Sequence, residues 1–237
     1  MMEPVSSQIR QEYEQKMKTI KKEQEDNLNQ RIANNLQYEK TVVPQIIEKV
    51  KSMMKVEVHN DPSTIVLEAE PNYLVAVLIR STNGVPPKPK KCLELLRLKH
   101  INECVIIKNN LCNRNLLKTA ASYIAYGTIN YELMRKLIYK RGCGIKRKAC
   151  GTKIKIKLTN KEIEQAFNGK YRCIEELCFG IFSGAEDQTK ILRFLSPFKL
   201  NCPLGGFSGK KKLNILKGGN TGNNRGMLGN LISRMIE

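Results

Sequence analysis

Eight cysteines and two histidines are the residues of this 237-residue chain that could hold a metal or serve as nucleophile and base. Their spacing suits neither task. No Cys-x-x-Cys occurs, and the closest pairs, Cys173/Cys178 and Cys143/Cys150, lack the second pair that a zinc site needs. His59 and His100 stand apart from any Cys, Ser or carboxylate arrangement of a known catalytic kind. The stretch GGNTGNNRG, 218–226, has the glycines of a phosphate-binding loop but lacks the Lys-Ser/Thr ending and a strong preceding strand. It reads as a flexible tail. The expectation is no enzyme, no metal and no cofactor.

What the chain does have is cations. LIYKRGCGIKRKACGTKIKIKL runs from Leu137 to Leu158, and from Leu133 to Lys161 there are eleven Lys or Arg and no Asp or Glu. A single-sign cluster repels itself, so an anionic partner must offset the repulsion. Net charge is +19, unevenly placed: residues 1–70 sum to −2 and residues 71–237 to +21. The pattern predicts binding to RNA by shape and backbone, since no helix-turn-helix, zinc finger, basic zipper or Trp is present. The candidate contacts are Arg80; Lys88, Lys90, Lys91, Arg97 and Lys99; Lys140, Arg141, Lys146, Arg147, Lys148, Lys153, Lys155 and Lys157; and Lys210, Lys211, Lys212 and Arg225. The glycines of RGCG are expected to let backbone N–H groups approach phosphates. No membrane is expected: the longest apolar run, Tyr73 to Ile79, is too short to cross a bilayer, and Met1 to Arg10 has no signal-peptide core. A soluble intracellular protein with reduced thiols follows.

Elements must position those cations. Residues 3–43 lack Gly, lie between Pro4 and Pro44, and carry a sparse helical stripe from Ile9 to Leu36. Residues 51–71 read as a connector. NYLVAVLIR then predicts a buried strand, and KCLELLRLKH a helix that buries Cys92, Leu93, Leu95, Leu96 and Leu98, with Arg97 and the lysines outside and His100 at its negative end. CVIIKNN is a second strand, Asn113 caps a second helix, YIAYG is a short third strand or turn, and Asn130 caps a third helix. This β-α-β-α-β-α order predicts an α/β layer, a sheet with helices packed on it. TKIKIKL alternates strictly: Ile154, Ile156 and Leu158 should pack on the body while Lys153, Lys155 and Lys157 face away. Thr159 and Glu162 have capping-box spacing, Gly169 suits a helix end, and Ile174 to Phe182 and Ile191 to Leu195 predict further helices. Residues 205–229 hold eight of the sixteen glycines and no acid, and should be mobile without a partner.

Several of these stretches together, in order, carry a resemblance. They are IRSTNGVPPKPKKCLELLRLKHINECVIIKNN, YIAYG, LIYKRGCG, NGKYRCIEELCFGIF, SPFKL and GGNTGNNRGMLGNLISRM. They resemble the universal L-thirty family of ribosomal proteins in its eukaryotic L-seven form, over about residues 72–237. The resemblance implies an N-terminal helical extension (1–50), a connector (51–71), an L-thirty-type α/β core (72–142) and a basic C-terminal extension with a strand, helices and a Gly-rich tail (143–237). It implies a structural part of the large (60S) subunit that binds large-subunit rRNA beside neighbouring ribosomal proteins. No small-molecule substrate and no catalysis are implied, with a role in rRNA maturation and assembly, a nucleolar assembly stage and a cytoplasmic ribosomal location. The alternative is a nucleolar assembly factor related to the same protein. Two departures stand out: the near-neutral residues 1–70, where the family is strongly basic, and Tyr126 and Ser196, where the family tends to have Trp.

Overall fold

The computed structural model describes residues 7–54, 71–148 and 151–237, with side chains from residue 15 onward. The chain forms two compact units, Met1–Lys49 and Val50–Glu237. One helix, α1, Ser7–Met54, accounts for the described residues of the first and continues past its boundary at Lys49. Pro44 does not end it. A proline inside a helix removes one hydrogen bond and costs about 3 kcal/mol, and the remaining ladder on either side carries the helix through it. Met17, Ile20, Leu28, Ile32 and Leu36 are all exposed, in keeping with a stripe too thin to be core. Lys51 to Met54 are helical, and the rest of the expected connector lies mostly outside the described residues, as does His59.

The second unit realises the α/β order. It runs β1 (Tyr73–Leu78), α2 (Pro87–Leu95), β2 (Glu103–Lys108), α3 (Leu111–Ala120), β3 (Ile124–Gly127) and α4 (Tyr131–Arg141). After these come β4 (Cys143–Arg147), β5 (Lys153–Lys157), α5 (Asn160–Ala166), α6 (Ile174–Ser183), α7 (Gln188–Phe194) and β6 (Phe198–Lys199). The chain closes with β7 (Lys210–Asn214), a 3-10 turn, β8 (Gly219–Arg225) and α8 (Leu228–Ile236). The main sheet has the order β6-β2-β1-β3-β8-β7. β1 is antiparallel to both β2 and β3, while β8 is parallel to β3 and to β7.

Alternation along β1 splits the core between two faces. Ala76 and Leu78 join Val105, Ile107 and Ile124 under Leu93, Leu96 and Leu98 of the α2 segment and Leu117 and Ala120 of α3. Tyr73, Val75 and Val77 point to the other face and are fully buried. Buried side chains of α4, α6, α7 and α8 supply the apolar surface on that side, including Met134, Leu137, Leu177, Ile181, Ile191 and Ile232. A charged cluster sits there. Glu175, 1% exposed, takes an ion pair from Arg135 and a hydrogen bond from the Tyr139 hydroxyl at 2.8 Å, with the Tyr131 hydroxyl at 3.4 Å.

Four details differ from expectation. α2 stops at Leu95, which is exposed, and Arg97 takes a left-handed φ of 63° that returns Leu98 to the core. His100 is therefore beyond the helix, and its backbone N–H donates to the Glu103 carboxylate at 2.9 Å. Asn110, not Asn113, stands at the N-cap position of α3, without a side-chain cap hydrogen bond, and Asn113 lies inside the first turn, where its side-chain N–H donates to the Lys108 carbonyl at 2.8 Å. The Gly-rich segment is not a free tail: 219–225 is a strand of the main sheet, with Asn220, Thr221 and Asn224 buried.

Candidate nucleic-acid interface

β4 and β5 form an antiparallel hairpin apart from the main sheet. Their register pairs Arg147 with Lys153, Ile145 with Lys155, and Cys143 with Lys157. Lys153, Lys155 and Lys157 therefore share one face with Arg147, and all four are exposed. Successive lysines on such a face stand roughly 6.6–7 Å apart. Among the described residues, none of these four enters an ion pair. Lys148 in the turn is exposed too.

The opposite face holds the hairpin to the body differently from the expected isoleucine packing. Ile154 is 37% exposed. Ile156 and Leu158 are half-buried, and the closest contacts come at the glycines. A Cβ on Gly144 would stand 2.7 Å from the Phe194 ring, and one on Gly142 would stand 2.2 Å from the Ile138 carbonyl oxygen. Ser196 N–H donates to the Cys143 carbonyl at 2.8 Å. The RGCG glycines thus permit close backbone packing inside the protein. At the far end of β5, Thr159 caps α5 as its spacing predicts, accepting from Glu162 N–H.

The remaining predicted cations divide by what they touch. Lys88, Lys90 and Lys91 lie exposed on α2, Lys99 just beyond it, and Lys140 near the end of α4. Lys91 has a loose ion pair with Glu94 at 3.6 Å. Lys210, Lys211 and Lys212 are exposed on β7, with Lys211 held 4.7 Å over the Phe207 ring. Four others are engaged within the fold. Arg97 donates to the carbonyls of Leu192 at 2.7 Å and Leu195 at 2.9 Å, and burial, with Arg193 nearby, lowers its pKa from the ordinary value. Arg141 donates to the Ile236 carbonyl at 2.9 Å and so satisfies the last turn of α8. Arg80 donates to the Ser122 carbonyl at 3.0 Å and stacks over Tyr123. Lys146 pairs with Glu162 at 3.1 Å, so the acid-free stretch is neutralised here, as at Arg135 by Glu175, by a residue outside it.

Arg225 stands elsewhere, in a cleft of about 470 Å³ on the α2/α3 side of the main sheet. Leu74 and Tyr126 lie in it with Asn223, and Arg114 and Lys118 reach it from α3. Burial raises the pKa of Tyr126. Reasoning from the sequence passed over Arg114 and Lys118, and singled out Tyr126 only as standing where the family tends to have Trp. The available signal was the i, i+4 spacing of Arg114 and Lys118, which puts two like charges on one helix face.

Among the described residues no cluster of His, Cys, Asp or Glu could hold a metal, and no helix is long and apolar enough to cross a membrane. All the described cysteines are free thiols.

The profile of the family described as Ribosomal protein L30p/L7e matches residues 74–124, which run from β1 through α3 into β3. Large ribosomal subunit protein uL30 of Encephalitozoon cuniculi is 38% identical over 98% of this chain and 97% of its own length. The protein of the same name from Dictyostelium discoideum is 40% identical over 67% of this chain and 63% of its own. That of Candida albicans is 36% identical over 71% and 69%. With an α/β sheet of the expected order and a near full-length relative at this identity, the chain belongs to the L30p/L7e family of ribosomal proteins, the uL30 proteins.

Proposed function

We propose that this protein is a structural constituent of the large ribosomal subunit that binds folded large-subunit rRNA through the phosphate backbone. The observation that carries this reading is the hairpin face of Lys153, Lys155, Lys157 and Arg147, exposed and without acid partners among the described residues. Each phosphate that such a face neutralises releases counterions, which drives affinity without reading sequence. The exposed lysines of α2 and of β7 extend the same chemistry to other edges of the body. The protein has no catalytic task in this reading. It stands beside neighbouring ribosomal proteins, joins during nucleolar maturation of the rRNA and stays on the cytoplasmic ribosome. The near-neutral α1, with its exposed apolar stripe, suits a partly protein-lined position better than one sunk in phosphate. The test is quantitative mass spectrometry of salt-washed mature large subunits. About one copy per subunit is expected, and presence only in nucleolar precursors would replace this reading with that of an assembly factor.

A further inference from the structure

The cleft at Arg225 lies over β1, β3 and β8, away from the β4–β5 hairpin. Among the described residues, α3 leaves this part of the sheet surface uncovered. Its volume of about 470 Å³ lies within the range of small-molecule pockets, ~300–1,000 Å³. Leu74 and Tyr126 provide an apolar and aromatic floor, and Asn223 a polar edge. Arg114, Lys118 and Arg225 bring three cations to the rim, and among the described residues no Asp or Glu lines the cleft.

Each cation is placed by the fold. Arg114 is oriented by Asn109, whose side-chain oxygen accepts its Nε–H at 2.6 Å. Lys118 follows one helical turn later and is exposed. Like charges at this spacing weaken a helix slightly unless an anion sits between them. Arg225 is set by an irregularity in the sheet. Tyr126 pairs with Asn223 but Gly127 pairs with Arg225, so Asn224 is left over as a bulge. Arg225 takes a φ of 45° there, and its N–H donates to the Asn223 side chain at 3.1 Å. Bulges of this kind re-aim a side chain next to functional sites, and a non-glycine residue in the left-handed region stores strain that the surroundings must hold.

An aromatic floor with a cationic rim and amide edges matches one ligand chemistry: a nucleotide, its base on the ring and its phosphate on the cations. We infer that this cleft takes an unstacked nucleotide from a single-stranded part of the bound RNA, with the base against Tyr126 and the phosphate among Arg114, Lys118 and Arg225. The inference rests on the RNA-binding reading above and adds a second, chemically different mode to it. The hairpin grips backbone charge alone, whereas the cleft needs a base that is free of its helix. An A-form duplex cannot present one.

The test uses the full chain and three probes: a short oligouridine, a blunt A-form RNA duplex, and uridine monophosphate. K118Q/R225Q and Y126L are compared with Y126F and with the hairpin variant K153Q/K155Q/K157Q. Oligouridine binding should fall about tenfold in Y126L and less in Y126F, since stacking a base on an aromatic ring is worth roughly 5- to 150-fold. In K118Q/R225Q the salt slope for oligouridine should fall by about 1.4. Duplex binding should stay within about twofold in all three cleft variants and weaken in the hairpin variant. A 4-thiouridine crosslink should map to β3 or β8, which keeps the placement testable if a variant folds poorly. Oligouridine binding unchanged in the cleft variants, beside a weakened duplex in the hairpin variant, would overturn the cleft and leave the RNA reading standing. No RNA bound by the wild type would overturn both. Uridine monophosphate binding as tightly as the oligomer would assign the cleft to a free nucleotide and overturn the RNA strand as its occupant.

Discussion

Gly127 of β3 and Arg225 of β8 lie so close that a Cβ on Gly127 would stand 2.3 Å from the Arg225 carbonyl oxygen. The same oxygen accepts the Thr128 N–H at 3.2 Å. The closing strand of the chain is thereby joined to the sheet through backbone alone, at a point where no side chain fits.

Gly127→Ala should therefore separate β8 from β3. Forcing a methyl into a packed interior typically costs about 1–3 kcal/mol, and the upper end is expected where the obstacle is backbone. Thermal unfolding should show the loss. Hydrogen exchange should show its place: amides of 219–225 are expected to be protected in the wild-type protein without RNA and to lose protection in the variant. Absence of protection in the free wild-type protein would sink the idea that β8 belongs to the folded body.

Glu175 is expected to matter to stability for a different reason. It is 1% exposed and holds Arg135, Tyr139 and Tyr131 around one carboxylate. Breaking a buried ion pair costs about 3–5 kcal/mol when the partner charge stays buried. The Arg135 side chain is 41% exposed and can turn to water, so Glu175→Ala should cost less, about 2–3 kcal/mol. Glu175→Gln keeps an acceptor for the tyrosine hydroxyls and should fall between wild type and Ala. Urea unfolding at unchanged m-value measures this. A loss below about 0.5 kcal/mol in the Ala variant would show that the cluster is dispensable.

The β-α-β-α-β-α order was legible because its signals are local. YLVAVL and ECVIIK are short apolar strands bounded by turn residues, and the helices between them repeat at helical spacing. β8 carried no such signal. GNTGNNR has poor strand propensity and no apolar alternation, and its burial is made by hydrogen bonds instead. Asn220 donates to the Gly209 carbonyl at 2.9 Å, and the Thr221 hydroxyl donates to the Leu213 carbonyl at 2.8 Å. The cations show the same divide. Their number and clustering are plain in the sequence, but which of them the fold engages is not. Arg97 finds its acceptor in Leu195, 98 residues away, and only the packing of α7 against β2 brings the two together. The internal packing of the RGCG glycines was hidden for the same reason, since Phe194 is distant in sequence and adjacent in space.

The hairpin face is the part of the interface whose role can be measured by charge alone. Lys153, Lys155 and Lys157 are exposed, share one face and make no ion pair among the described residues, so their removal breaks no ionic contact. K153Q/K155Q/K157Q should leave the thermal midpoint nearly unchanged, because the hairpin is held by Gly144 against Phe194 and by the Ser196 N–H bond to Cys143. Binding to a folded rRNA fragment should weaken. The slope of log affinity against log salt should fall by roughly 2–3 units if all three touch phosphate, at about 0.7–0.9 for each. Lys146 offers an internal comparison. It already pairs with Glu162, so K146Q should change the slope by less than one contact's worth. A second control changes Lys16, Lys18 and Lys21 on α1, where acids intersperse the lysines, and should alter the slope far less than the hairpin change does. Equal slopes for wild type and the hairpin variant would place these lysines against solvent and move the search for the backbone grip to α2 and β7.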